Sequence, residues 1–268
     1  MILFVFIAVF CFSGCSEKNS DANRAETIGK TKVNEGAQNA EPFAVVELFS
    51  SEGCSDCPPA EKLLNKITLD AMADKTYIYP LAFHIDYWNK LGWKDVFSDS
   101  SYSNRQRKYR KAFGNQVVYA PQMIINGSVE FPGGNETKAM TVIDSFLTVK
   151  PEWYFTIHPD ESKLKDGIIK TEYEIINRPA QEESREYVIC FALAERKLET
   201  DITRGENKGM KLQHENVVRF FASQKLKNSK GEFTINYTPG NIGKNHSLIA
   251  FIQDASSMKI TGANLWNF

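Results

Sequence analysis

Hydrophobic and polar positions along this chain follow two different periods, and the change between them divides it. Residues 43–49 (FAVVELF) are almost continuously apolar and predict a buried strand. Residues 50–53 turn the chain. From Cys57 to Ile67 the pattern becomes helical, with Leu63, Leu64 and Ile67 on one face. Pro58 and Pro59 suit a first helical turn, where a missing N–H costs nothing. Residues 77–85 (YIYPLAFHI) predict a second apolar strand, and 101–113 a polar helix. Residues 122–131 predict a hairpin with Asn126-Gly127 as its two-residue turn. An amphipathic helix over 137–149 closes this part.

After Pro151 the helical period disappears. Short alternating runs recur at 168–176, 187–194, 232–237, 248–253 and 258–265, separated by turn-rich segments. The expectation is an α/β domain over 42–150, followed by an all-β antiparallel sandwich-like domain over 151–268.

The first residues belong to neither. Residues 1–13 are almost wholly apolar and too short for a membrane-spanning helix, so they predict a signal peptide. Phe12-Ser13-Gly14-Cys15 resembles the bacterial lipobox, which assigns 1–15 to a lipoprotein signal and Cys15 to lipidation. Residues 16–41 lack aromatic residues and any period, and predict a flexible tether. The expected location is the periplasmic side of a bacterial cell envelope, lipid-anchored, with Ser16 permitting the outer membrane. Composition adds little: 42% hydrophobic and 24% charged residues allow an ordinary core, and a net charge of −1 offers no pull toward nucleic acid. Arg105, Arg107, Lys108, Arg110 and Lys111 make the 101–113 helix basic, which predicts a solvated face.

The chemistry lies in the cysteines. An exported chain with one close pair is not a disulfide scaffold. Cys54-Ser55-Asp56-Cys57 falls between a buried strand and a helix, where the helix end carries roughly +0.5 of a charge and favours a thiolate. Cys54 is expected at an exposed edge as the attacking sulfur, with Cys57 resolving the mixed disulfide. Asp56 disfavours the Cys54 thiolate, which predicts a reducing or isomerising poise with a potential below about −150 mV. Cys190, in an apolar run, predicts a buried small hydrophobe.

Thioredoxin-like proteins place a cis-proline before a strand facing such a pair. Ala120-Pro121 fits that position and would offer the Ala120 backbone to an extended substrate. Such proteins also carry a buried carboxylate six residues before the first cysteine. Leu48 stands there, and alternation sends Glu47 to the opposite sheet face. His84 and Asp86, two apart near a strand end, are therefore candidates for accepting the Cys57 proton. The alternative is a satisfied core histidine and a turn cap. Trp88 and Trp93 either wall a groove or pack in the core.

The runs at 45–60, 83–88, 91–95 and 119–127 resemble the bacterial secreted proteins of the domain of unknown function 1223 family. Arg204-Gly205-Glu206-Asn207 and His214-Glu215-Asn216-Val217-Val218-Arg219 resemble that family's C-terminal half. The resemblance covers about 42–268 and implies a thioredoxin-like fold for 42–150.

The leading expectation is an envelope thiol–disulfide oxidoreductase. It would act on thiols and disulfides of exported proteins through Cys54 and Cys57, with an unidentified redox partner, and needs neither cofactor nor metal. Two alternatives stand beside it. Cys54, Cys57 and His84 could carry a soft ion such as Cu(I). Or the chain is a non-catalytic interaction protein with a structural disulfide.

Overall fold

The computed structural model describes residues 41–151, 153–180, 185–238 and 241–268. The predicted signal with Cys15, and the tether up to residue 40, lie outside these. Among the described residues no helix is long and apolar enough to cross a membrane.

The described residues begin with β1 (Ala44–Ser50), α1 (Cys57–Asp74), β2 (Ile78–His84), α2 (Ser100–Phe113), a hairpin of β3 (Gln122–Ile125) and β4 (Val129–Pro132), and α3 (Glu136–Phe146). Then come nine strands: β5 (Tyr154–Asp160), β6 (Ile168–Asn177), β7 (Tyr187–Glu195), β8 (Leu198–Asp201), β9 (Lys211–His214), β10 (Val217–Lys225), β11 (Lys230–Asn236), β12 (His246–Asp254) and β13 (Ile260–Asn267). The hairpin turn spans Asn126, Gly127 and Ser128, one residue more than the sequence suggests, because Ile125 pairs with Val129.

The expected fold class needs correction. The chain does not form a thioredoxin-like α/β domain followed by a separate all-β sandwich. It is mostly β, and one mixed sheet of eight strands, ordered β13-β12-β7-β10-β2-β1-β3-β4, takes strands from both parts. The junction is β10 beside β2. Val217 opposes Ala82 in parallel, and the Ala82 N–H donates to the Asn216 carbonyl at 2.9 Å. Asn216 also donates from its side chain to the Pro80 carbonyl at 3.0 Å. Hydrophobic periodicity cannot reveal this, because it describes the faces of a strand and not which distant segment completes its edge.

Alternation along the strands sorts the core. In β1, Ala44, Val46 and Leu48 face α1 and α3, meeting Leu64, Ile67 and Ile143. Val45 and Phe49 face the other way, toward Tyr102 and Tyr109 of α2. In β7, Cys190, Ala192 and Ala194 join the second group. Ile189, Phe191 and Leu193 instead pack under a three-stranded sheet, β11-β6-β5. Cys190 is fully buried, and burial pushes its thiol up to about 12.

The same alternation places Glu47 on the α2 face. There Arg105 grips it with two hydrogen bonds of 2.6 and 2.8 Å. Arg105 is thus a core residue and not part of a solvated face, whereas Arg107, Lys108, Arg110 and Lys111 are exposed.

Candidate active site

The chain leaves β1 at Ser50 and makes two successive turns before α1. The Cys54 N–H donates to the Ser51 carbonyl at 3.2 Å, and the Cys57 N–H to the Cys54 carbonyl at 3.1 Å. Asp56 occupies the N-cap without a side-chain cap bond, and prolines fill the first helical turn. Pro58 and Pro59 carry no N–H, so the donors near the Cys54 sulfur at this helix start are the Asp56 and Cys57 amides.

The two sulfurs are unlike. Cys54 has a lowered pKa: the Cys57 S–H bonds to it, and the Asp56 and Cys57 amides help, against burial and the Asp56 charge. Cys57 is pushed far above the thiol range, first by burial and then by its bond to Cys54. The Cys54 Sγ lies 3.8 Å from the Ala120 carbonyl, and the Ala120–Pro121 peptide is cis. Pro121 and Ala120 thus stand beside the pair. Half-buried Tyr87 also feels the charge of both sulfurs, though burial is what chiefly raises its pKa to about 12.

Cys54 is not at an exposed edge: both cysteines are only 1% accessible. A loop from the second half of the chain helps cover them. The Asn207 side chain donates to the carbonyls of Glu52 (2.8 Å) and Cys54 (2.9 Å). Glu206 accepts from the Ser55 N–H at 3.1 Å. Gly205 (φ +78°) lies so close to Trp93 that an added Cβ would stand 3.0 Å from the Trp93 Cβ, which only glycine avoids.

Behind the pair lies a buried group that sequence reasoning saw only in part. His84 is fully buried, and its Nδ1 is 2.7 Å from Asp95. Its Nε2 is 3.7 Å from Glu61. His214 reaches the same carboxylate from β9, with Nδ1 at 3.5 Å, while its Nε2 is 3.3 Å from Glu52. Asp95 accepts from the backbone N–H groups of Glu52 (2.8 Å) and Phe97 (2.9 Å), and Glu52 accepts from the Trp93 indole (2.8 Å).

Burial opposes charge throughout this group, and the opposite charges overcome it. The pKa of His84 is raised by Asp95 and Glu61, and that of His214 is raised to about 10 by Glu52 and Glu61. The carboxyls of Glu61 and Asp95 are correspondingly lowered. Ser50 adjoins both Cys57 and Glu61.

The remaining candidates separate. Asp86 turns away from His84 and accepts from Ser103 of α2 at 2.5 Å. Asp56 is exposed. Trp88 is half-buried against the core, and Trp93 serves as the Glu52 donor. Among the described residues, the His, Cys and carboxylate set whose ligand atoms lie mutually within 4.8 Å is Glu61, His84 and His214, without the cysteines. Glu61 had a signal, being one helical turn after Cys57 on the same face. His214 and Asp95 lie in runs that the family resemblance marked, but nothing local joined them to the cysteines.

This arrangement belongs to a recognisable class, a mixed-sheet protein with a Cys-x-x-Cys turn at a helix start. The model of the family described as "Protein of unknown function (DUF1223)" matches residues 45–253, and the chain belongs to that family. It is similar to a crystal structure of a protein from Agrobacterium tumefaciens, at 24% identity and TM-score 0.62, covering 86% of this chain and 96% of that one. It is also similar to HBP35 of Porphyromonas gingivalis, at 11% identity and TM-score 0.60, covering 85% of this chain and 76% of that one. These likenesses speak for the fold alone. No curated protein matches the chain.

Proposed function

We propose that this protein is a thiol–disulfide oxidoreductase of the bacterial cell envelope, anchored by lipid at Cys15 on the periplasmic side of the outer membrane. Its substrates are disulfides and thiols of exported proteins. The observation that carries this reading is the placement of the pair: Cys54 stands at the turn into α1 with its Sγ 3.8 Å from the Ala120 carbonyl, and Cys57 opens the helix behind it, an arrangement that lowers the first thiol and raises the second.

In the reducing direction, the Cys54 thiolate attacks one sulfur of a substrate disulfide. The substrate S–S bond breaks and a mixed disulfide forms. The Cys57 thiol then gives its proton to the departing substrate thiolate and attacks the Cys54 sulfur. The Cys54–Cys57 disulfide forms as the second substrate thiolate leaves and is protonated from water. The substrate gains two electrons, which a dithiol partner later returns to the pair. Because Cys54 is covered, the loop holding Glu206 and Asn207 must lift before a protein disulfide can approach.

Insulin reduction and trapping test the reading. Cys54→Ser abolishes exchange, and Cys57→Ser accumulates mixed disulfides through Cys54. Unchanged reduction in both variants, with no trapped species, overturns it.

A further inference from the structure

The group behind the cysteines has a geometry that ion pairing alone does not explain. Two of its atoms, Glu61 Oε1 and His84 Nε2, are buried without a hydrogen-bond partner. Each such atom costs about 1–3 kcal/mol, so leaving both open is expensive unless something else meets them. The separations are also informative. Glu61 stands 3.7 Å from His84 Nε2 and 3.5 Å from His214 Nδ1, at or beyond the limit of a direct hydrogen bond. Two ligands on a tetrahedral zinc ion, each bonded at about 2.0–2.1 Å, lie roughly 3.3 Å apart.

The surrounding residues are arranged as they are around metal-bound histidines. Each imidazole turns one nitrogen toward Glu61 and the other toward a second carboxylate, Asp95 for His84 and Glu52 for His214. Those carboxylates are themselves fixed, Asp95 by two backbone N–H groups and Glu52 by Trp93. An open pocket lined in part by Asn65, Leu198 and Gln213 borders the group at His214.

We propose that Glu61, His84 and His214 bind one divalent transition-metal ion of the zinc class, with Asp95 and Glu52 orienting the two histidines. Two imidazoles and one carboxylate suit such an ion and leave a coordination position for water. This site is separate from the cysteines and does not depend on their redox chemistry.

The test uses the full chain, stripped with a chelator and titrated with Zn²⁺ against a chromophoric competitor. One zinc per chain is expected, with a rise in the melting temperature. His214→Gln and Glu61→Gln abolish binding. Asp95→Asn, which leaves all three ligands in place, weakens it about 10–100-fold. The Cys54→Ser/Cys57→Ser double variant binds zinc like the wild type. Substitution of Co²⁺ into the unmutated protein gives a spectrum without a thiolate charge-transfer band, which guards against variants that misfold. The proposal is overturned if the stripped protein takes up no zinc, if the double cysteine variant loses it, or if the cobalt spectrum carries the thiolate band.

Discussion

β1 has a buried charge cluster on each side, and the two are built in opposite ways. On the α2 side, Glu47 and Arg105 are complete. Arg105 makes its paired bonds to Glu47, reaches Tyr109 and Gln253, and lies 4.5 Å from the Phe221 ring centre. Tyr109 and Gln253 bond each other at 2.9 Å, and Tyr109 also donates to Glu47. On the α1 side, Glu61 and His84 keep unpartnered atoms at the same depth. A cluster that closes all its bonds holds a fold together. One that leaves bonds open, beside the cysteine pair, holds buried donor and acceptor atoms unused.

The largest effect separates the two by stability. Glu47→Ala strands the Arg105 charge in the core, and breaking such a pair costs about 3–5 kcal/mol. Chemical denaturation should show that loss. Glu61→Gln should cost less, because Asp95 and Glu52 still face the two histidines. Equal losses would erase the contrast.

The next effect concerns the cover. Asn207→Ala removes two hydrogen bonds, each contributing about 0.5–1.5 kcal/mol. Opening of the loop should become roughly tenfold more frequent, and alkylation of Cys54 should accelerate in proportion. An unchanged rate would mean that this loop does not control access.

A third effect is on pH. The lowered pKa keeps Cys54 as thiolate, and therefore reactive, to lower pH than an ordinary cysteine. The pH profile of its alkylation should have its midpoint below the usual thiol value. Cys57→Ala removes the S–H donor and should move that midpoint up. A midpoint that stays in place would assign the shift to the helix start alone. The smallest effect belongs to exposed Asp56. Its charge opposes the thiolate, so Asp56→Asn should lower the same midpoint further, by less than Cys57→Ala raises it.

The sequence was most informative where bonding is local. The runs at 43–49, 77–85, 168–176 and 187–194 correspond to β1, β2, β6 and β7, because burial leaves its mark on composition, at nearly every position in β1, β2 and β7 and at alternate positions in β6. Alternation also separated Glu47 from the cysteines. It could not find the residue awaiting Glu47, since Arg105 reads as one more charge on a basic helix. No run predicted β5, β8, β9 or β10. β8 and β9 are only four residues each and pair with one another, while β10 is half-buried over much of its length.

By itself, then, the sequence determined the strand-to-helix placement of Cys54 and Cys57 and the family. Each of these is set by near neighbours or by quotable runs. Only the tertiary structure decided that β10 completes the edge of β2, that Asn207 crosses 153 residues to cover Cys54, and that His214 faces His84 over Glu61. Those contacts join segments far apart in the chain. Local periodicity carries no information about which distant backbone will satisfy an open edge or an unpaired nitrogen.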